Sequence, residues 1–169
     1  MAIFAVCGLQ SCGDDDKDIN PDQAYINALN NMNLNLQNVK WEKKGAYKVA
    51  EGQQGLFEVE VWFDAEAKWA MTETDYERDY SNLPQAVINA LNTINGGNST
   101  TTGGITANWA IDDVEYFQRP DMNFFKIKIT EPGQKDVYQY FTVDGNLLKS
   151  TTTDEDVTPL TKFPTAPAA

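Results

Sequence analysis

Residues 85–92, Gln-Ala-Val-Ile-Asn-Ala-Leu-Asn, repeat residues 23–30, Gln-Ala-Tyr-Ile-Asn-Ala-Leu-Asn, with identity at seven of the eight positions. A match of this kind within one chain indicates a duplicated supersecondary unit. In both copies apolar side chains recur at helical spacing, so each copy predicts a helix with one face packed on a core. The apolar positions are Tyr25, Ala28, Leu29 and Met32 in the first copy and Val87, Ala90, Leu91 and Ile94 in the second.

The residues that precede both copies are suited to the start of a helix. Asn20 can cap the first helix, with Pro21 at the first helical position. Ser81 or Asn82 can serve the second helix in the same way, ahead of Pro84. The Asn residues on the polar faces are poor helix formers, so packing on a sheet must stabilise both helices.

Period-two alternation follows each helix and predicts strands. Phe57, Val59 and Val61 would share one face of a strand, while Glu58 and Glu60 would share the other. The predicted strands lie near residues 39–43, 46–50, 56–63 and 68–74, and near 109–118, 124–130, 136–142 and 147–152. The predicted fold class is α+β: two tandem repeats, each a helix followed by about four antiparallel strands, forming a sheet with the helices on one face.

The repeats divide the chain into segments. Repeat 1 is assigned to residues 20–80 and repeat 2 to residues 81–153. Within repeat 2, residues 96–104 are rich in Gly and Thr and are predicted to form a flexible loop. Residues 154–169 are rich in Thr, Pro and Ala and are predicted to be a disordered tail.

The N-terminal residues carry the pattern of an exported lipoprotein. Residues 1–11 are uncharged and mostly apolar, and they resemble the end of a lipoprotein signal peptide. Residues 9–12, Leu-Gln-Ser-Cys, resemble a bacterial lipobox, which implies acylation of Cys12 and a stable lipid anchor. An accidental apolar leader is the alternative. Residues 12–19 are predicted to be an acidic tether, which also looks like the acidic export signal of surface lipoproteins.

Composition excludes several classes of function. The chain has 169 residues, with 25 Asp and Glu against 13 Lys and Arg, which gives a net charge of −12. Nucleic-acid binding needs a positive footprint and is therefore excluded. The chain has no His, which excludes Ser-His-Asp and Cys-His catalysis and ordinary zinc sites. Cys7 lies in the leader and Cys12 would be acylated, so no disulfide or cysteine nucleophile is predicted.

Acidic clusters are the candidates for cation binding. Asp112, Asp113 and Glu115 form one cluster, and residues 75–79 and 154–156 contain two others that could supply oxygen ligands to calcium. None matches an EF-hand loop, and adjacent carboxylates more often belong to a solvated surface. The sequence predicts no metal site, no cofactor and no catalytic residue. A carboxylate pair brought together by the fold stays open as an alternative.

A sheet with helices on one face leaves its other face open to a partner. The alternation places five large side chains there: Leu56, Trp62, Phe124, Tyr138 and Tyr140. Aromatic side chains grouped on an exposed sheet are typical of an interface hot spot, so these residues are predicted to bind a partner. The alternative is that they form cross-strand pairs, or that loops or the tail cover them.

Several segments together resemble a known family. They are residues 39–45, 62–64, 72–75 and 83–87. In order and spacing they resemble the PepSY-like, β-lactamase-inhibitor-like family of Bacteroidetes envelope proteins, over about residues 22–152. The resemblance implies two tandem helix-plus-sheet repeats, similar to the β-lactamase inhibitory protein, with a binding or inhibitory role and no catalytic residues. Ala67 is a departure, since the second copy has a turn glycine at the matching position.

These features predict a non-catalytic outer-membrane lipoprotein, exposed to the periplasm or on the cell surface. Its predicted role is that of a binding module for a protein or peptide partner in the cell envelope, with enzyme inhibition as one mode. Contact with the membrane would be through the lipid anchor only. The alternatives are a small-ligand or calcium-responsive periplasmic sensor and a structural envelope protein.

Overall fold

The computed structural model describes residues 17–96 and 109–161 of the chain. Within these ranges it has nine strands, two α-helices and one short 3-10 helix. The elements in chain order are β1 Lys17–Asp18, α1 Gln23–Asn31, β2 Gln37–Lys44, β3 Tyr47–Gln54, β4 Phe57–Phe63, β5 Trp69–Asp75, the 3-10 helix Tyr80–Asn82, α2 Gln85–Ile94, β6 Ala110–Gln118, β7 Asn123–Thr130, β8 Val137–Thr142 and β9 Leu147–Thr151.

The strands form one antiparallel sheet in which each strand pairs with its neighbours in sequence, from β1 at one edge to β9 at the other. Short turns join most consecutive strands, which is the connection that antiparallel pairing allows. The connection from β5 to β6 contains α2, yet these two strands also lie side by side, with Thr74 opposite Tyr116. The predicted α+β class, one antiparallel sheet with two helices, is confirmed.

Both helices pack on the same face of the sheet. Tyr25 of α1 lies in a buried cluster with Val59 of β4, while α2 packs in a second cluster that contains Phe125 of β7. Directly paired residues of neighbouring strands share a face. Because the pairing runs from Val59 through Thr74 and Tyr116 to Phe125, the two clusters lie on one side of the sheet.

The helices begin slightly later than predicted. Asp22, rather than Asn20, occupies the capping position of α1, and its side chain makes no capping hydrogen bond. The Asp22 carboxylate instead pairs with the Lys48 ammonium at 3.0 Å, so an ion pair to β3 replaces the cap. Asn82, one of the predicted caps of α2, belongs to the 3-10 helix, and α2 begins after Pro84.

The other face of the sheet is covered by residues 152–161, which we term the C-terminal segment. Val157 of this segment is buried, with 4% exposure, in a cluster with side chains of that face. We term this the covered face. The sequence predicted disorder from residue 154, but residues 154–161 pack on the sheet. The reason is that Val157 finds apolar neighbours on strands distant in sequence, which composition does not reveal.

Several predicted features lie outside the described residues. These are the leader at residues 1–11, Cys12, most of the Gly/Thr loop at 96–104 and the tail from residue 162. Of the predicted tether, Lys17 and Asp18 form β1 and pair with Lys43 and Glu42 of β2. In the part of the chain that is described, no helix is long and apolar enough to cross a membrane.

Candidate functional site

An aromatic cluster lies at the centre of the covered face. Its buried members are Val49, Trp62, Met71, Phe117, Phe124, Tyr140 and Val157. The rings of Phe117 and Phe124 stack with their centroids 4.9 Å apart. The indole N–H of Trp62 donates to a carboxylate oxygen of Glu60 at 3.0 Å, so the polar edge of this buried ring has a partner. The cluster is therefore a large buried apolar group in which the indole N–H of Trp62 is hydrogen-bonded.

Two lysines of the covered face hold the acidic start of the C-terminal segment. The Lys126 ammonium lies 2.9 Å from Glu115 on β6 and 2.7 Å from Asp154 of the segment. The Lys149 ammonium lies 2.5 Å from Glu155. Burial opposes the charge on Lys126, but Glu115 and Asp154 outweigh it and raise the pKa of this ammonium. Lys126 thus stays cationic inside the fold and requires carboxylate neighbours.

Side chains of the face also bind the backbone of the segment. The Arg119 guanidinium donates to the carbonyl oxygens of Val157 and Thr158, the latter at 3.3 Å. The Tyr47 hydroxyl donates to the carbonyl oxygen of Pro159 at 3.4 Å. The C-terminal segment is not a strand of the sheet. It is held by side chains of the strands and by Arg119 in the connection between β6 and β7.

Two cavities lie beside the C-terminal segment. One, of about 350 Å³, is lined by Glu73 and Lys126 among others. The other, of about 520 Å³, is lined by Trp62 and Leu160 among others. Glu73 and Asp156 border both cavities. The segment therefore covers the face without filling it.

Solved structures share this architecture. A BLIP-like protein from Bacteroides fragilis matches with a TM-score of 0.64 and 36% sequence identity, and the match covers 82% of this chain and 92% of that one. This chain belongs to the BLIP-like family. This match confirms the resemblance, noted from the sequence, to the β-lactamase-inhibitor-like proteins of Bacteroidetes.

Other solved members of the BLIP-like fold are more distant. A candidate periplasmic protein from Bacteroides eggerthii matches at 25% identity with a TM-score of 0.61, over 78% of this chain and 88% of that one. A DUF2874 family protein from Bacteroides ovatus has the same fold, with 24% identity and a TM-score of 0.63 over 79% of this chain and 88% of that one. No protein-family model and no curated protein matches the chain.

The structure of this BLIP-like chain brings three of the five predicted binding residues together. Trp62, Phe124 and Tyr140 all lie in the aromatic cluster, each with 1% exposure or less. Tyr138 is half-buried at the edge of that cluster. The predicted face is correct for these four, but the predicted exposure is wrong, because the C-terminal segment covers them.

Leu56 lies elsewhere. It is in the turn before β4 and is 94% exposed, away from the aromatic cluster. The alternation that placed it on the same face as Trp62 does not extend beyond the strand, since β4 begins at Phe57. Leu56 is therefore not part of the covered face.

Sequence reasoning missed Arg119 and Lys149, which bind the C-terminal segment, and Val157, which anchors that segment in the aromatic cluster. A signal for Val157 was present, because it is the single apolar residue that directly follows the acidic run at 154–156. An apolar side chain directly after charged residues is compatible with a segment that packs on the protein as well as with a solvated tail. Nothing local marked Arg119, whose role depends on a contact 38 residues along the chain.

The acidic clusters of the sequence are divided by the fold. The Asp112 carboxylate pairs with the Lys128 ammonium at 2.8 Å and with the Arg78 guanidinium at 2.7 Å. Both of its charge partners are therefore side chains of the protein itself. A different group, Glu51, Glu58 and Glu60, has carboxylate oxygens within 4.8 Å of one another. Lys44 lies 2.8 Å from Glu60, so this group is already partly neutralised.

Glu73 is the covered carboxyl with the greatest change in acidity. Burial raises the pKa of Glu73 to about 8, and the neighbouring carboxylates Glu115 and Glu60 add to the effect. Burial also raises the pKa of Glu115 to about 7, against the opposing influence of Lys126. Glu73 is thus largely protonated at neutral pH beneath the C-terminal segment.

The raised pKa of Glu73 predicts that stability falls as the pH rises. The folded protein holds this proton more tightly than the unfolded chain does, where the pKa is near its ordinary 4.5. The contribution of Glu73 is therefore greatest below that value and is lost on approaching pH 8, with a slope of at most about 1.4 kcal/mol per pH unit. Urea unfolding at a series of pH values from about 5 to about 8 measures this slope.

The Glu73→Gln variant should flatten that pH dependence, because the amide does not titrate. The matched control is Glu66→Gln on the exposed turn between β4 and β5. If Glu73→Gln and the native chain show the same change in unfolding free energy per pH unit, the prediction is wrong. Glu73 is then not the group that binds a proton more tightly in the folded protein than in the unfolded chain.

Proposed function

We propose that this chain is a non-catalytic envelope lipoprotein that binds a protein or peptide partner through the covered face, with enzyme inhibition as one mode. The observation that carries the proposal is the aromatic cluster of Trp62, Phe124 and Tyr140, which is bordered by charged side chains and which, among residues 17–96 and 109–161, is covered by a short segment without strand pairing. Large aromatic groups with a charged border are typical of binding hot spots. The BLIP-like family supports a binding role.

Location in the envelope is part of the proposal. The lipobox-like residues 9–12 support acylation of Cys12, and the Bacteroides eggerthii relative is described as a candidate periplasmic protein. Growth with an alkyne fatty acid should label the native protein, and Cys12→Ala should abolish both the label and the membrane fraction of the protein. Label retained by Cys12→Ala would contradict anchoring at this residue.

Affinity capture from a bacterial envelope extract tests partner binding. Because the C-terminal segment covers the face, the full-length chain is used both in its native form and as Val157→Asp. That substitution places a charge where an apolar side chain is buried and should release the segment. The released bait should retain a partner that the native bait retains weakly.

A third bait connects the partner to the face. Val157→Asp combined with Tyr138→Ala changes a half-buried aromatic side chain, which the fold tolerates better than a change at Trp62 or Tyr140. Retention should fall by at least about tenfold, as removal of a hot-spot side chain predicts. Equal retention by all three folded baits would show that the covered face does not bind, and would favour the structural envelope protein.

The cavity of about 520 Å³ favours a second candidate, a small-ligand sensor. Its volume lies within the range of ordinary ligand pockets, and Trp62 supplies an aromatic wall. A saturable rise in melting temperature with envelope-derived small molecules or with calcium would support this role over partner binding. No dose-dependent shift across such a set would argue against it.

We infer in addition that the two halves of the chain are tandem repeats. Corresponding turns support this inference: the Ala67 N–H donates to the Asp64 carbonyl at 3.0 Å, and the Gly145 N–H donates to the Thr142 carbonyl at 2.9 Å. The first helical residue of each half also behaves alike, since Gln23 and Gln85 each donate to an Asn side chain four residues later.

A further inference from the structure

We propose that the covered face is a groove for an extended acidic peptide, and that the C-terminal segment occupies it as an intramolecular substitute for that peptide. The inference rests on the proposed function and names the kind of partner. The ligand pattern is two successive carboxylates followed, two residues later, by an aliphatic side chain, as in Asp154, Glu155 and Val157.

The contacts are of the kind that a peptide-binding groove makes. Lys126 and Lys149 bind the two carboxylates, and the aromatic cluster receives Val157. Arg119 and Tyr47 bind main-chain carbonyl oxygens, a contact that any peptide backbone could accept. Side-chain recognition at three positions therefore gives selectivity, while backbone contacts contribute affinity without selectivity.

Charge complementarity points to an acidic occupant. The chain carries a net charge of −12, yet within the part of the chain that the structure describes Lys126, Lys149 and Arg119 all contact the C-terminal segment. Lys126 also pairs with Glu115 of the sheet, so the selectivity lies at single positions of the occupant. Lys126 and Lys149 favour carboxylates at the two positions that they contact and disfavour basic side chains there.

Incomplete filling points to an occupant other than the segment itself. The two cavities, of about 350 and 520 Å³, share Glu73, Asp156 and Thr158, and each is lined by an aromatic ring of the cluster, Phe117 in the first and Trp62 in the second. Both are open to solvent, so a side chain of an incoming peptide can enter them. A peptide with larger side chains next to the aliphatic anchor would fill space that the C-terminal segment leaves open.

The attachment of the segment makes it a strong competitor. It joins the end of β9 at Thr151, so only residues 152 and 153 separate the sheet from Asp154. A short linker of this kind gives an effective concentration on the order of 1 mM or more. The native chain should therefore bind an external peptide weakly, and release of the segment should reveal the groove.

Fluorescence anisotropy of a labelled synthetic peptide with the sequence of residues 151–161 tests the inference. The full-length Val157→Asp variant should bind this peptide saturably, and at least about tenfold more tightly than the native chain does, since the peptide no longer competes with a tethered copy. Circular dichroism confirms that the variant is folded. A folded variant with no saturable binding up to about 1 mM peptide would overturn the inference.

Charge reversal tests the predicted contacts. Lys149→Glu, added to Val157→Asp, should weaken binding of the peptide by about fivefold or more, and a peptide carrying Glu155→Lys should restore it. Lys128→Gln is the matched control, because Lys128 lies on the same face but pairs with Asp112 and Asp136 rather than with the segment. Loss without restoration, or equal loss in the control, would contradict the assignment of these contacts.

The outcomes separate this inference from the proposed function. If the peptide fails to bind but Tyr138-dependent capture of an envelope protein persists, the acidic-peptide groove is wrong and the binding module stands. If the peptide binds but no bait captures a partner, the groove is established and the proposed function fails. A native dimer in light scattering that becomes monomeric in Val157→Asp would assign the segment to a second copy and overturn the intramolecular arrangement.

Discussion

Trp62→Ala should lower the free energy of unfolding by about 3–5 kcal/mol, among the largest effects of any single substitution in this chain. Trp62 is 1% exposed and packs with Tyr47, with ring centroids 5.9 Å apart, in the aromatic cluster. Truncation would leave a cavity. It would also remove the hydrogen bond that the Glu60 carboxylate accepts from the indole N–H. Urea denaturation followed by circular dichroism measures the loss.

Leu56→Ala is the matched control. Both residues were predicted to bind a partner, but Leu56 is 94% exposed, so its truncation should change the free energy of unfolding by less than about 0.5 kcal/mol. Equal effects at the two positions would contradict the burial of Trp62. The practical consequence is that alanine at Trp62 or Tyr140 tests folding, and binding must be tested through Tyr138 and the segment contacts.

Gly145→Ala should cost about 2–5 kcal/mol, because two effects add. Gly145 has a φ of +81°, where a side chain adds roughly 1–2 kcal/mol of strain. A Cβ at this position would also lie 2.5 Å from the carbonyl oxygen of Ala86, a backbone atom of α2 that has little freedom to move. Relieving such overlap costs about 1–3 kcal/mol more. The turn after β8 should separate from α2, which thermal unfolding would detect as a lower melting temperature.

Gly55→Ala isolates the contribution of the backbone. Gly55 also has a positive φ, +67°, but a Cβ there would meet no atom within 4 Å. Its substitution should cost only about 1–2 kcal/mol. Ala67, which has a φ of +59° in the corresponding turn of the first half, shows that this conformation admits a Cβ where space allows. Similar losses for Gly55→Ala and Gly145→Ala would mean that the approach to Ala86 carries no energetic weight.

On the covered face, the alternation of residues predicts which side of the sheet a side chain lies on, but not whether that side chain is exposed to solvent. Alternation in β4 correctly separates Trp62 from Val61, because side chains of a strand point to opposite faces regardless of what lies above them. The same rule gave Leu56 a face that it does not have, since it lies in a turn. Whether Trp62 meets solvent or another segment is not encoded in its neighbours along the chain.

Sequence patterns were sufficient to predict both helices, eight of the nine strands found in the described residues, their antiparallel pairing and the side of the sheet to which Trp62 and Phe124 point. These features depend on periodicity and on turns within a few residues, so local composition is sufficient to specify them. That the C-terminal segment covers the aromatic cluster is visible only in the folded protein. That outcome depends on the contact of Arg119 with Val157, 38 positions apart, and on that of Lys126 with Asp154, 28 positions apart. Such contacts contribute free energy only once the sheet has brought the two ends of the chain segment together.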